Sequence, residues 1–481
     1  MEDVRIYAIT DSHQECRNLC ALFSKITKFE QNSRNDFLLL DCGDIFKGIY
    51  DKDLCVEMYL KFKSLNPNAH IALTIGNNDF GFVANDFEYF KSAITRFKNN
   101  GIDFVCCNMK QISNGEYASL VPRYKIVELN GTKFLITGFC LNTSIIKNFG
   151  YEFENANIAL LNLLEKVNDA YDKLIILNHH WYNYSKELYE FAKNNNINID
   201  LIIGGHEHSP ISPDYERNIY YPLSFARSLY RIDFCNNVEN SVEIGVDDSE
   251  LLPDFEEDLS RYEQETELYK PVAKRVLNLY KWYSEPCALG TFISDNMKRV
   301  ANTDIAFHST GFTMFSLKTS DSDVITKYDF EKVICASTPI VKVALNIAQL
   351  KRIFENATLR RMYKNNGNAR FLQCSQNICI RGKGNPEDKT YKIIQIEING
   401  EKLLDEFQNP IDDRKIYTCA IDEFISKGEQ GFELLKFLDK EYVEYENKQV
   451  HLNELLLDSL KKAQNLYPPN TQYPVFKLID L

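Results

Sequence analysis

Nowhere in this sequence do about 18 apolar residues run together, the length a helix needs to cross a bilayer, so a membrane-spanning helix is not expected. Positive charge is also in short supply. The 55 Lys and Arg stand against 68 Asp and Glu, a net charge of -13, and no stretch gathers the basic residues into a stripe. That balance repels a phosphate backbone and argues against duplex nucleic acid as a partner. The start, MEDVRIYAITDSH, has neither the basic opening nor the apolar stretch of a secretory signal. The 13 cysteines, an odd number, lack zinc-ribbon spacing and read as reduced thiols, so a cytoplasmic location is expected. Internal repeats and low-complexity tracts are missing too.

What is present is a chain of 481 residues, too long for one core, since single cores stop growing at about 250–300 residues. Apolar residues at 44% and charged residues at 26% are globular values. From residue 4 to about 208, short apolar runs alternate with amphipathic segments, the pattern of an α/β layered sheet. The runs are Val4–Ile9, Phe37–Leu40, Ile71–Ile75, Phe104–Cys107, Phe134–Thr137, Leu174–Leu177 and Leu201–Ile203. Helices are expected around Leu19, Leu22, Phe23 and Ile26, and over 52–64, 86–99, 154–170 and 185–195. A strand-rich stretch follows over 217–245. The charged segment 259–283 reads either as an exposed linker helix interrupted near Pro271 or as one more helix of the first domain. The pattern restarts at about 284. The expected division is therefore 1–250, a linker over 251–283, and a second compact α/β domain over 284–481.

The polar residues that matter sit at the ends of five apolar runs. The first delivers Asp11 and His13, the second Asp44, the third Asn77, the sixth His179, and the seventh His206 and His208. In open α/β sheets, ligands collect beyond the carboxyl ends of the strands, so these distant side chains can converge. Alone, an Asp-x-His or a Gly-Asp pair is an ordinary loop. Five fragments in order are not, and six of the eight histidines (13, 70, 179, 180, 206 and 208) fall in this half. Carboxylate, imidazole and amide donors without thiolate suit two divalent ions of Mn, Zn or Fe. Two such ions can share one carboxylate, here Asp44, and a bridging hydroxide that attacks phosphorus in line. Cys42 reads as a small buried strand-end residue rather than a nucleophile.

With these residues in view, DSH at 11–13, CGD at 42–44, GNND at 76–79, NHH at 178–180 and GGHEH at 204–208 resemble the five blocks of the calcineurin-like metallophosphoesterases. EPCALGTFISDNMKRVANTDIAF, FLQCS at 371–375 and YTCAIDEFISKGEQGF at 417–432 resemble the C-terminal domain of the 5′-nucleotidases. The resemblance implies a layered α/β/β/α sandwich carrying the metals, a bridging helix, and a C-terminal α/β domain that binds the nucleoside and swings over them. It implies Asp11, His13, Asp44 and His208 on one metal, and Asp44, Asn77, His179 and His206 on the other. Phe371 and Phe432 match the aromatics that sandwich the base, and Arg360 falls near an arginine that steadies the substrate.

Three departures from the family pattern stand out. Where the family has a proton-donating His held by an Asp, this sequence has Asn78 and Gly81. An amide cannot deliver a proton, and losing a positioned acid typically costs about 10²–10⁴-fold. The family's Asn-Gly-Gly-x-Arg block is replaced by Ser309-Thr310-Gly311-Phe312-Thr313, without its arginine. The Gly-Gly-Asp-Gly-Phe block reads Gly428-Glu429-Gln430-Gly431-Phe432, without its Asp. His180 and His308 are the candidate substitute donors. The expected function is a 5′-nucleotidase-like phosphoesterase on a small phosphorylated substrate. The alternatives are a phosphodiesterase or cyclic nucleotide phosphodiesterase, and a catalytically weak metal- and nucleotide-binding protein.

Overall fold

The structure is a computed structural model that describes residues 4–480 except 34, 82–83, 144, 168–169, 235–236, 248–250, 283, 335–337, 360–370, 386 and 388–389. It divides into two compact units, Met1–Tyr262 and Glu263–Leu481.

The first unit is built on two sheets. Its strands are β1 (Val4–Ile9), β2 (Phe37–Asp41), β3 (Ala69–Leu73), β4 (Ile102–Phe104), β5 (Tyr124–Leu129), β6 (Thr132–Cys140), β7 (Lys173–His179), β8 (Leu201–Gly205), β9 (Ile219–Tyr220), β10 (Ser228–Phe234) and β11 (Val238–Gly245). One sheet runs β11-β10-β1-β2-β3-β4 and the other β9-β8-β7-β6-β5. Strands β1 to β4 are mutually parallel, as are β6 to β9, while β10, β11 and β5 run antiparallel to their neighbours.

Alternation along each strand decides the layers. Leu38, Leu40, Phe134, Ile136, Ile175 and Leu177 point between the two sheets into a common apolar cluster. Their neighbours in sequence, Leu135, Leu174 and Ile176, point outward, because successive side chains of a strand face opposite ways. Outward on the second sheet lie α4 (Ala156–Leu164) and α5 (Tyr182–Asn194), with Ala159, Leu160, Leu188 and Ala192 against it. The other helices of this unit are α1 (Cys16–Glu30), α2 (Lys52–Leu65) and α3 (Ala84–Asn99), and α6 (Pro253–Glu265) begins in it and ends past Tyr262. Leu19, Leu22, Phe23 and Ile26 form the buried stripe of α1, and Asp51 caps α2 by accepting from the amides of Asp53 and Leu54. The result is the α/β/β/α sandwich.

The helix expected over 154–170 is the shorter Ala156–Leu164, the strand expected at Ile71–Ile75 is Ala69–Leu73, and two further elements differ more. The fourth strand is Ile102–Phe104, not Phe104–Cys107. Past Phe104 the chain leaves the first sheet for the second, since the Val105 amide donates to Leu73 O but the Cys107 amide donates to Gly138 O, at 2.7 Å. The expected helix over 259–283 begins earlier and is shorter. It covers Pro253–Glu265, and Pro271–Lys274 pairs as a strand with Val324–Thr326.

The second unit contains β12 (Ile305–Ser309), β13 (Ile340–Asn346), β14 (Leu372–Cys374), β15 (Ile378–Asn385), β16 (Thr390–Ile398) and β17 (Ile416–Asp422). Order β14-β12-β17-β13, with Glu441–Tyr442 paired beyond β13, forms one sheet, and β16-β15 the core of another. Ile305, Phe307, Val343, Cys419 and Ile421 pack with Ile380, Ile393 and α8 (Ile347–Thr358). Ala306, Ile340 and Ala420 face the other way, onto α7 (Ala288–Ala301) and α9 (Leu452–Leu466). Among the described residues the cysteines are free, and no helix is long and apolar enough to cross a membrane.

Candidate metal centre

The carboxyl ends of β1, β2, β3, β7 and β8 meet. The Asp11 amide donates to Gly43 O and the His13 amide to Asp44 O, both at 2.9 Å, which locks the loop after β1 onto the loop after β2. His179 Nδ1 lies 2.6 Å from Cys42 O, and the His206 amide donates to Asp11 Oδ2 at 2.9 Å, tying the second sheet to the first. Close approach needs glycine at one point above all. A Cβ on Gly76 would stand 2.1 Å from Asp44 Oδ1.

All seven expected ligands are brought together. Asp11, His13 and His208 form one group and Asp44, His179 and His206 a second, each with its donor atoms within 4.8 Å of one another. Asn77 Oδ1 lies 3.2 Å from His179 Nε2 and joins the second group. Asp44 sits 3.4 Å from His179 and 3.7 Å from His13, so it reaches a histidine of each group.

The donors fit divalent cations. His206 Nε2 is buried without a hydrogen-bond partner, and the Nε2 atoms of His13 and His208 face each other at 3.1 Å. A buried ring nitrogen without a partner, as at His206, is orphaned unless something electron-poor stands before it. Burial pushes His13 down to about 4 and His206 to about 3, leaving neutral imidazoles with lone pairs to give. Burial would also raise Asp11 and Asp44, but the neighbouring histidines outweigh it and hold both carboxyls below their ordinary value. His179 goes the other way. Burial opposes its charged form, yet Asp44 and Asp11 carry it up to about 10. Two concentrated negative charges thus call for a counter-cation.

Four further residues belong to the site. Asp79 accepts from four backbone amides, those of Ile45 (2.7 Å), Phe46 (3.0 Å), Asp44 (3.1 Å) and Gly76 (2.7 Å), so one carboxylate clamps the loops after β2 and β3 together. Lys47 Nζ donates to Asn78 Oδ1 at 3.1 Å. The Phe225 ring lies 5.2 Å from that of His13 and 5.0 Å from that of His208, and Trp181 lies edge-on to His206 at 4.1 Å. Asp79 was visible as the last residue of GNND. The other three carry no spacing signal.

Asn78 lies against the centre, donating to Asp44 Oδ1 from its backbone (2.7 Å) and to Oδ2 from its side chain (2.6 Å). Gly81, at φ 68°, leaves no room for the family's Asp, because a Cβ there would fall 2.0 Å from that of Asp86. His180 stacks on Tyr184 at 3.8 Å, its Nδ1 accepts from the Trp181 amide, and it lines a 250 Å³ cavity with Asn108, Leu141 and Glu154. Burial and the charge of His179 hold its imidazole down at about 4. Cys42 donates its thiol to Ile203 O inside the core. In the second unit, Phe371 and Phe432 are 3% and 2% exposed within one apolar cluster, so neither presents an open face to a base. His308 is fully buried beside Ser294. Arg360 lies outside the described residues.

The calcineurin-like phosphoesterase family matches residues 4–210, and the 5′-nucleotidase C-terminal domain family matches residues 266–436. The chain joins a calcineurin-like metallophosphoesterase domain to a 5′-nucleotidase C-terminal domain. Its fold is similar to that of a 5′-nucleotidase precursor from Thermus thermophilus, with TM-score 0.74 and 17% identity over 100% of this chain and 99% of that one. A sulfate thiohydrolase SoxB from the same organism gives TM-score 0.72 and 13% identity, covering 100% and 97%. A 5′-nucleotidase from Candida albicans gives 0.65 and 14%, covering 96% and 98%. At such identities these likenesses speak for the fold alone. Curated proteins include no match to the sequence.

Proposed function

We propose that this metallophosphoesterase hydrolyses a nucleotide-like phosphate ester with two divalent ions. The reach of Asp44 to a histidine of each group, at 3.4 and 3.7 Å, carries the reading, since a paired-ion site needs a shared carboxylate. Asp11, His13, Asp44 and His208 would hold one ion, and Asp44, Asn77, His179 and His206 the other. Ions there supply Lewis-acid polarisation of the phosphoryl group and lower the pKa of a water.

The chain's own residues do the rest. Asp79 fixes the loops that aim Asp44 and Asn77. Asn78 donates to Asp44 and offers no proton to a leaving group. Esters whose leaving group departs as a stable anion should therefore react faster than ribose alkoxides. The nucleotide part of the reading rests on the C-terminal domain family and the order of the two domains.

A phosphodiesterase is the second reading. It is favoured by the absence of an arginine from 309–313, since a monoanionic diester asks for fewer cationic contacts than a dianion. Purified protein should be assayed for bound metal and for turnover of AMP, a 2′,3′-cyclic nucleotide, nitrophenyl phosphate and bis-nitrophenyl phosphate with added Mn. Monoester turnover with about two ions per chain is the expected result. Turnover confined to the diesters would replace the first reading by the second, and full metal without turnover of any ester would refute both.

A further inference from the structure

We infer that Lys47 is a phosphate-binding residue, positioned by Asn78 to contact the non-bridging oxygens of the substrate and to favour dianionic monoesters over monoanionic diesters. The inference rests on the phosphoesterase reading and names a residue that determines its specificity.

Lys47 lies in the loop after β2, three residues beyond Asp44. Its place is set by the backbone on both sides. The Lys47 carbonyl lies 3.0 Å from His13 Nδ1. The next residue, Gly48, presses so close that a Cβ would fall 1.5 Å from His13 O, so no other residue could take this path without moving the loop. The side chain then folds back toward the centre. Its Nζ donates to Asn78 Oδ1 at 3.1 Å, while Asn78 Nδ2 donates to Asp44 Oδ2 at 2.6 Å. One amide therefore spans the carboxylate nearest both ligand groups and an ammonium group.

An amide suits this task, because it has an acceptor for the ammonium and donors for the carboxylate at once. A histidine at position 78 acting as a proton donor would have no acceptor to spare. The replacement of histidine by Asn78 thus exchanges a movable proton for a fixed positive charge. Lys47 is half-buried, where a charge acts through a lower dielectric than in bulk water. Lysine binds phosphate as a point charge, and such a charge attracts a dianion more strongly than a monoanion. It also supplies, from the metal-bearing unit, a cation in a chain whose 309–313 block has none.

The test uses the full-length Mn-loaded protein and its Lys47→Met and Lys47→Arg variants. Binding of inorganic phosphate is measured by calorimetry, and kcat/KM is compared for nitrophenyl phosphate and bis-nitrophenyl phosphate. Lys47→Met should bind phosphate about 10–100-fold more weakly, the loss expected for one charge-assisted hydrogen bond. The same variant should lose monoester kcat/KM by a similar factor and diester kcat/KM by a clearly smaller one, with metal content unchanged and Lys47→Arg recovering part of the loss. Unchanged phosphate affinity, or equal losses on both esters, would overturn the inference and leave the phosphoesterase reading standing. A wild-type protein that turns over neither ester would sink that reading instead, and the phosphate titration would still decide whether Lys47 binds the anion.

Discussion

Backbone strain in the first unit collects at the proposed ligands and beside them. Asp11, His13, Gln14, Asp44, His206, Phe225 and Ala226 all have positive φ, whereas the other non-glycine residues of that unit with positive φ are Asn130, Asn196 and Asn218, a residue type that tolerates it. Each strained residue costs about 1–3 kcal/mol, so something must hold the loops in place. Asp79 is the residue built for that task, with both oxygens engaged by four amides. Burial and the charge of Asp44 push its carboxyl up to about 7, against the pull of those amides. Replacing Asp79 by Asn keeps the shape but turns one acceptor into a donor facing two amides. With two charge-assisted hydrogen bonds lost at roughly 1.5–3 kcal/mol each, Asp79→Asn should lose on the order of 3–6 kcal/mol at a pH above about 8, where the Asp79 carboxyl is ionised, and less below it. Chemical denaturation reads this directly, and a loss below about 0.5 kcal/mol, the scale of an ordinary surface change, would deny Asp79 its clamping role.

At the scale of elements, much was legible because apolar periodicity and layer geometry agree. Val4–Ile9 is the first strand as read, and the stripe at Leu19, Leu22, Phe23 and Ile26 is the buried face of α1. What escaped is what tertiary contact decides. β5 carries Lys125 and Glu128 within six residues, so its alternation is weak, and it stands at a sheet edge where polar residues cost little. Helix α6 starts at Pro253, a favoured first helical residue, and docks through Phe255 onto Phe23, a contact no local pattern announces. The FLQCS block was read through a resemblance, and its Gln373 has a mechanical task instead. Fully buried, Gln373 accepts from the Cys287 amide at 3.0 Å and donates to Glu285 O at 2.7 Å, fastening the start of α7 to β14. Gly290 of α7 lies so close that a Cβ would touch the Gln373 side chain at 2.2 Å. Gln373→Leu should leave the buried Cys287 amide without its acceptor and cost about 1–3 kcal/mol. A shift in the denaturation midpoint without a change in bound metal is the expected record, and an unshifted midpoint would count against the fastening.

For the whole molecule, chemistry and recognition are differently legible. The convergence of the seven proposed ligands could be read because metal chemistry restricts residue type and the sheet restricts position. The substrate could not, since Phe371 and Phe432 match a family pattern yet are packed in a core, and aromatic residues serve both purposes with the same sequence. Every proposed ligand lies in Met1–Tyr262, so stabilisation by metal should originate there. Ions that bind only the folded chain stabilise it by about 2.7 kcal/mol per site at a hundredfold excess over Kd. Hydrogen exchange followed by mass spectrometry can locate that gain. Adding Mn to chelator-treated protein should slow exchange in the loops at 11–15, 43–48, 76–79 and 204–208, which bear the proposed ligands or the residues that hold them. Protection arising first in peptides of the second unit, with those loops unchanged, would place the ions elsewhere and remove the ground for the phosphoesterase reading.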